Sequence, residues 1–268
     1  MTIPFYKYQG TGNDFVIIDQ RTEQYLTRND TKQIERICDR RFGIGADGLI
    51  LLENHDDYDF EMIYFNADGR ESSMCGNGGR CIVAFAKFLG MIENNTHFIA
   101  IDGPHEAEIR DEDWVSLKMM DVPSIEEGPD YFVLNTGSPH YVVFVEDLDD
   151  IDIVENGKAI RYSKRFREEG INVNFVEKKK DGIMVATYER GVEDETLSCG
   201  TGVTAAAIAY QLSKSSSEET ITPIEAKGGK LSVKLSTSGE GAKNIWLQGK
   251  ATRVFSGELE VSTSERQA

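Results

Sequence analysis

The sequence predicts an α+β protein built as two pseudo-symmetric halves, each strand-rich around a central helix. Three observations predict it: short alternating apolar runs dominate the chain, helical stretches are few, and four motifs of the first half return in order in the second. The strand runs are Phe15–Ile18, Leu49–Leu52, Glu61–Phe65, Tyr141–Val145, Val173–Val176, Ile183–Ala186, Leu231–Leu235 and Ile245–Leu247. Turn pairs such as Asp181-Gly182 and Gly228-Gly229 separate many of them, which predicts hairpins and a mainly antiparallel arrangement.

Four helices are expected. The first covers about residues 31–41, with Asp30 as its cap and Gly43 as its stop; the second runs from Gly76 to about Leu89 and stops at Gly90. The third lies near 158–168 ahead of Gly170, and the fourth runs from Gly200 to about Leu212, followed by a solvated Ser/Lys/Glu loop over 213–219. The repeat ties these elements together. Gly12-Asn13-Asp14-Phe15-Val16 returns as Gly137-Ser138-Pro139-His140-Tyr141-Val142, and Phe42-Gly43-Ile44-Gly45 as Glu169-Gly170-Ile171-Asn172. Asn66-Ala67-Asp68-Gly69 answers to Glu189-Arg190-Gly191, and Cys75-Gly76-Asn77-Gly78 to Cys199-Gly200-Thr201-Gly202. Four weak matches in one order, at nearly one offset, predict two similar domains joined near residues 119–130, where Val122–Pro129 reads as a linker.

The 268 residues suffice for two small cores without staples. Apolar residues at 40% and charged residues at 28% are globular values. The formal charge of −17 argues against nucleic acid and anionic membranes as partners, since both need a basic footprint. No apolar run approaches the length of a membrane span, and the N-terminal residues lack the apolar core of a signal peptide, so a reducing cytoplasm is the expected setting. The four cysteines, Cys38, Cys75, Cys81 and Cys199, contain no C-x-x-C pair and are too few for a disulfide framework.

Cys75 and Cys199 each stand before a Gly-x-Gly that opens a helix. A helix start carries unsatisfied N–H donors and partial positive charge, so it favours a thiolate and can hold a carboxylate. Two such thiols flanking one site, around a pseudo-twofold axis, suit inversion at carbon. One thiolate removes an α-proton from one face and the other thiol returns a proton to the opposite face, while the N–H groups stabilise the carbanion's charge. Cys38 and Cys81, inside helices, read as packing residues. No nicotinamide, flavin or phosphate-loop fingerprint is present, and the four histidines lack ligand spacing; neither a cofactor nor a metal is expected.

The blocks Gly12–Phe15, Phe42–Gly48, Phe65–Gly69, Cys75–Cys81, Pro139-His140, Asn172-Val173, Tyr188–Gly191 and Cys199–Gly202 resemble the diaminopimelate epimerases, cofactor-independent two-cysteine amino-acid epimerases. The resemblance implies interconversion of LL- and meso-2,6-diaminopimelate in bacterial lysine and peptidoglycan synthesis. It implies two halves, each a curled, mainly antiparallel sheet or barrel around a helix, and a homodimer. It also implies that the last strand, Phe255–Val261, returns to the N-terminal half, giving domains 1–121 plus 252–268 and 122–251.

Carried over residue by residue, the resemblance makes Cys75 and Cys199 the acid/base thiols. Gly76, Asn77, Gly200 and Thr201 hold the reacting carboxylate by their backbone N–H groups, and Asn13 lines that end. Asn66, Asn172 and Arg190 bind the far carboxylate, with Glu189 reading the far ammonium. His140 is open to two readings, a structural residue or one that tunes a cysteine. Two positions depart from the family: Ser138 stands where many members have Asn, and Gly48 where some have Gln. Two other readings are carried alongside: a proline or hydroxyproline epimerase of the same fold, which has no second amino-acid end to occupy the far set, and a thiol module for metal or redox switching.

Overall fold

Strands that read as unbroken apolar runs are buried on both faces, and the computed structural model shows what covers them. It describes residues 1–110, 113–214, 219–238 and 241–261. The chain forms two units: Met1–Leu117 together with the segment from Lys250 onward, and Lys118–Gly249.

In the first unit β1 (Thr2–Gly10) and β2 (Asn13–Asp19) form an antiparallel hairpin. Its two-residue turn places Thr11 and Gly12 at positive φ, 52° and 86°, the geometry that follows the strands' own twist. Helix α1 (Thr31–Cys38) then carries the chain back, so that β3 (Gly48–Glu53) lies parallel to β2. Next, β4 (Phe60–Asn66) pairs antiparallel with β3, and the short β5 (Glu71–Ser72) with β4. Helix α2 (Gly76–Phe88) is the second crossover, after which β6 (Asn95–Ala100) lies parallel to β4 and leads into β7 (Gly103–Ile109) and β8 (Trp114–Lys118).

The second unit repeats this order. It contains β9 (Glu126–Glu127), β10 (Tyr131–Asn135), β11 (Pro139–Val145), α3 (Ile153–Arg161), β12 (Asn172–Lys179), β13 (Gly182–Glu189) and β14 (Asp194–Thr196). Then come α4 (Gly200–Ser213), β15 (Thr220–Ala226), β16 (Gly229–Ser238) and β17 (Gly241–Lys250). The parallel pairs are again those bridged by a helix, β11 with β12 and β13 with β15. The last strand, β18 (Thr252–Glu260), pairs with β1 in the first unit, as β9 pairs with β10 in the second.

Each unit has one helix inside its sheet and one outside. Helix α2 is buried at every residue from Gly76 to Ala86, and α4 at Gly200 and from Gly202 to Gln211, the signature of a helix enclosed rather than laid on a surface. Small residues allow it: a Cβ on Gly78 would lie 3.4 Å from both Ile50 and Met62. The outer face of the first sheet (Val16, Ile18, Leu49, Leu51, Ile63, Phe65) packs on Ile34, Ile37 and Cys38 of α1. In the second unit Val173, Phe175 and Tyr188 pack with Ile153, Val154 and Ile160 of α3.

The structure corrects the sequence reading at several points. α1 ends at Cys38 because the Asp39 carboxylate accepts the N–H groups of Arg41 and Phe42, both at 2.7 Å. Asp30 does occupy the cap position, but its carboxylate turns back to the N–H and hydroxyl of Thr27. The third helix starts five residues earlier than read and ends at Arg161, with Asp152 capping it through the N–H of Glu155. Gly157, which breaks the helical pattern in sequence, is needed for packing: a Cβ there would meet Tyr188 Cβ at 2.4 Å. The stretch read as a linker contributes β9 and a bridge from Val122 to Ala242. Ser213 closes α4, and 215–218 of the expected loop lie outside the described residues.

The repeat also gains its true register at the second match. His140 pairs with Asn172 as Phe15 pairs with Gly48, and the left-handed glycines are Gly45 and Gly170, at φ 80° and 77°. Gly48, not Gly45, is therefore the counterpart of Asn172.

Replacing a helical glycine by alanine ordinarily gains up to about 1 kcal/mol. At Gly157 the added methyl overpacks Tyr188 at a cost of about 1–3 kcal/mol. Gly157→Ala is expected to lower the urea midpoint; a raised midpoint would show that α3 moves off β13 freely.

Candidate active site

In the first unit the starts of β2 and β3, the end of β4 and the start of α2 meet at one end of the sheet. Phe15 pairs with Gly48, and Gly48 with Asn66. Cys75 is the N-cap of α2, and its Sγ accepts the N–H of Gly78 at 3.2 Å. The N–H groups of Gly76 and Asn77 precede the first intrahelical bond, from Gly79 N–H to the Cys75 carbonyl. A Cβ on Gly78 would sit 3.2 Å from the Cys75 sulfur, so the glycine keeps the cap open.

Beside Cys75 runs a chain of side-chain amides whose orientation is fixed at both ends. Arg80, which can only donate, gives a hydrogen bond to Asn77 Oδ1 at 3.1 Å; Asn77 Nδ2 donates to Asn13 Oδ1 at 3.2 Å. Asn13 Nδ2 then donates to the Asp47 carboxylate, which can only accept, at 2.6 Å. Arg40 bridges Asp47 and Asp14, both at 2.7 Å, and Lys7 pairs with Asp14 at 2.8 Å while donating to the Gly45 carbonyl. Burial alone raises the Asp14 carboxyl, but Arg40 and Lys7 overturn that and hold it well below the usual carboxylate range.

The second unit builds the matching end from β11, β12, β13 and α4. Cys199 is the N-cap of α4; its Sγ lies 3.4 Å from Thr201 Oγ1, and the first intrahelical bond is from Val203 N–H to its carbonyl. Thr136 donates to the Thr201 carbonyl at 2.9 Å. Asn172 accepts the N–H of Arg190 at 2.8 Å and donates to Ser138 Oγ at 3.0 Å and the Pro139 carbonyl at 3.3 Å. The Arg190 guanidinium donates to the Glu169 carbonyl, and Gly170 is tight beneath it, a Cβ there meeting Arg190 Cδ at 2.5 Å. Arg190 is exposed, whereas Glu189 is half-buried and burial raises its carboxyl.

His140 is completely buried on β11. The Tyr141 carbonyl and the Thr187 hydroxyl fix the Asn174 amide, whose Nδ2 donates to His140 Nδ1 at 3.1 Å. The ring proton is therefore on Nε2, which is buried and has no hydrogen-bond partner. Burial, aided by the charge of Arg190, lowers the imidazole from 6.5 to about 3.

The structure thus gathers Asn13, Cys75, Gly76 and Asn77 at one end of the first unit, where Asn66 is exposed at the close of β4. It gathers His140, Asn172, Glu189, Arg190, Cys199, Gly200 and Thr201 at the corresponding end of the second. Arg80, Thr11, Asp47, Asn174 and Thr187 were missed in sequence, because nothing in their spacing marks a partner so far along the chain. Arg80 alone carried a signal, as a charge inside a small-residue helix. Ser138, shorter than the family's Asn, here braces Asn172. At Gly48 a Cβ would lie 2.6 Å from Tyr64, whose ring fills the space a longer side chain would need. Burial pushes the Cys38 thiol up to about 12 and the Cys81 thiol higher still, which suits packing and not proton transfer. Among the described residues, no group of three or more His, Cys, Asp and Glu is gathered to hold a metal.

Because His140 binds a proton more weakly folded than unfolded, its stabilising contribution is complete above about pH 6.5 and is lost as pH falls toward 3. Nitrogen NMR of the labelled ring is expected to show a neutral Nε2–H tautomer unchanged from pH 8 to 5. A titration midpoint near 6.5 would overturn that reading.

A family model described as diaminopimelate epimerase matches residues 5–125 and 132–254. A diaminopimelate epimerase of Flavobacterium psychrophilum is 52% identical over 93% of this chain and 97% of its own. One of Aquifex aeolicus is 39% identical over 95% and 97%. Among solved structures, a phenazine biosynthesis protein of Bacillus anthracis aligns with a TM-score of 0.77 at 15% identity, covering 97% of this chain and 100% of that one. A hydroxyproline epimerase from Agrobacterium vitis aligns at 0.68 and 16%, covering 96% and 92%. At such identities these two likenesses establish the fold alone. The family model and the sequence relatives, spanning nearly the whole chain, establish more: this protein belongs to the diaminopimelate epimerase family.

Proposed function

We propose that this chain interconverts LL- and meso-2,6-diaminopimelate, with Cys75 and Cys199 as the two acid/base groups. Family membership carries the reaction; the occurrence of a cysteine at the N-cap of each unit's enclosed helix supports the assignment of roles. One sulfur, as thiolate, takes the α-proton, and the other, as thiol, gives a proton to the opposite face of the same carbon. No net proton is consumed, and the two sulfurs exchange protonation states over a turnover. Each helix start favours the thiolate form of its cap.

The first-turn N–H groups of Gly76, Asn77, Gly200 and Thr201 take the reacting carboxylate. Charge leaving the α-carbon spreads onto those oxygens, where fixed donors stabilise it without reorganising. Asn13, held by Asn77 and Asp47, lines this end. Asn66, Asn172 and Arg190 take the far carboxylate, and Glu189 the far ammonium. A substrate with an amino-acid group at each end can satisfy both sets, whereas proline leaves the far set empty. No cofactor enters the scheme.

We also assign the protein to the cytoplasm and to a homodimer. Among the described residues no helix is long and apolar enough to cross a membrane. The dimer is supported by exposed apolar side chains at β18 of the first unit: Phe255, which packs edge-on against Phe5, is 48% exposed, and its neighbour Val254 is 56% exposed.

In heavy water, LL-diaminopimelate is expected to give meso product carrying α-deuterium, with no turnover of proline. Cys75→Ala and Cys199→Ala should each lower kcat by at least about 10³-fold, since a proton-transfer partner is lost. Full activity in either variant would sink the assignment. Sedimentation is expected to give about twice 30.0 kDa, falling toward a single chain in Phe255→Asp; a monomer at micromolar concentration would remove the dimer.

A further inference from the structure

Arg80, in the second turn of α2, is fully buried, and no carboxylate among the described residues lies within 4.0 Å of it. Its guanidinium donates to Thr11 Oγ1 at 3.0 Å, to Asn77 Oδ1 at 3.1 Å and to the Gly76 carbonyl at 3.3 Å. Its Nε has no hydrogen-bond partner. Burial works against its charge, and so does the positive end of the helix in which it stands. A guanidinium remains charged even so. An isolated cation in such a place is destabilising unless something nearby becomes negative.

Two ionisable thiols flank it: Cys75, the cap residue next to the Gly76 whose carbonyl Arg80 binds, and Cys81, its neighbour in the chain; a negative charge on either favours the guanidinium's charge. Cys81 is fully buried and held as the thiol, which leaves Cys75. The other charges around this end are already matched. Lys7 of β1 and Arg40 meet Asp14 of β2 and Asp47, and His105 of β7 meets Asp102, which also accepts the N–H of Met74. Tyr8 of β1 is raised to about 12 by burial, and Arg253 of β18 lies over Phe88 at the far end of α2. A second observation points the same way. Thr11 is a non-glycine residue at positive φ, and its hydroxyl is held by Arg80. The strained turn that presents Asn13 is thus tied to the same cation.

We propose that Arg80 is a positioning residue for the reaction: its buried guanidinium is the counter-charge of the Cys75 thiolate and fixes the Thr11–Asn13 turn and Asn77 beside it. This rests on Cys75 being one of the two acid/base thiols. A purely structural clamp would hold the turn without affecting the ionisation of Cys75, and the two roles separate experimentally.

The test follows the pH dependence of iodoacetamide alkylation at Cys75 and Cys199 in the full chain, resolved by peptide mass. Arg80→Met is expected to raise the Cys75 midpoint by about 1 pH unit or more, the shift expected on losing a close opposite charge, and to leave Cys199 unmoved. Arg80→Lys keeps the charge and should hold the Cys75 midpoint within about half a unit while lowering kcat, because a single ammonium cannot serve Thr11, Asn77 and Gly76 together. An unchanged Cys75 midpoint in folded Arg80→Met overturns the proposal. If Arg80→Met does not fold, a full-unit shift in Arg80→Lys overturns it and a retained midpoint supports it. The alkylation is read without substrate, so it decides the role of Arg80 even if diaminopimelate is not turned over.

Discussion

Everything at these two sheet ends depends on the burial of a helix on every side. α2 and α4 are buried over most of their length, and small residues let the sheet close around them: Gly78, Gly79, Ala84 and Ala86 in one, Ala205–Ala207 and Ala209 in the other, with Arg80 the charged side chain enclosed with them. The backbone groups of a helix enclosed in this way are paired within it except at its termini. The N-terminal turn, with its donors and partial charge, becomes the place where an enclosing sheet can present chemistry. The cysteine that caps each helix stands at that opening, and the glycines after it keep side chains out of the way.

The polar groups behind each opening are organised by directionality. In the first unit a donor-only cation and an acceptor-only carboxylate terminate the amide chain, so neither Asn77 nor Asn13 can flip without breaking two hydrogen bonds. In the second unit the backbone sets the direction. The N–H of Arg190 and the carbonyl of Pro139 orient Asn172, and the carbonyl of Tyr141 orients Asn174. The corresponding ends of the two units are thus held by different means, side-chain charge in one and main chain in the other, and by asparagines that are not counterparts in the repeat.

Much of this was legible in sequence. The glycines after Cys75 and Cys199 marked both helix starts, and the shared offset marked the repeat. The parts that were not legible have physical reasons. Gly157 interrupts a helical pattern because Tyr188, distant in sequence, occupies the space of its side chain. Asp39 ends α1 through a carboxylate–backbone turn that composition does not distinguish from a solvated acid. The similarity of Phe42–Gly45 to Glu169–Asn172 misled by three residues, since a short motif carries no register and only strand pairing supplies it. The role of Arg80 depends on partners at positions 11, 76 and 77, and only the fold brings the first of these near the others.

The pairing of β1 with β18 bears on how the protein is made. β1 has two neighbours, β2 and β18, and the second is synthesised some 240 residues after the first. Until then β1 carries an open edge, a template for unwanted pairing. The second unit, by contrast, is contiguous and has all its strands once β17 has emerged. On a ribosome adding residues from the N-terminus, the half begun first is therefore completed last. Its exposed edge during that interval makes the first unit, rather than the second, the part of the chain most dependent on rapid completion or on a chaperone.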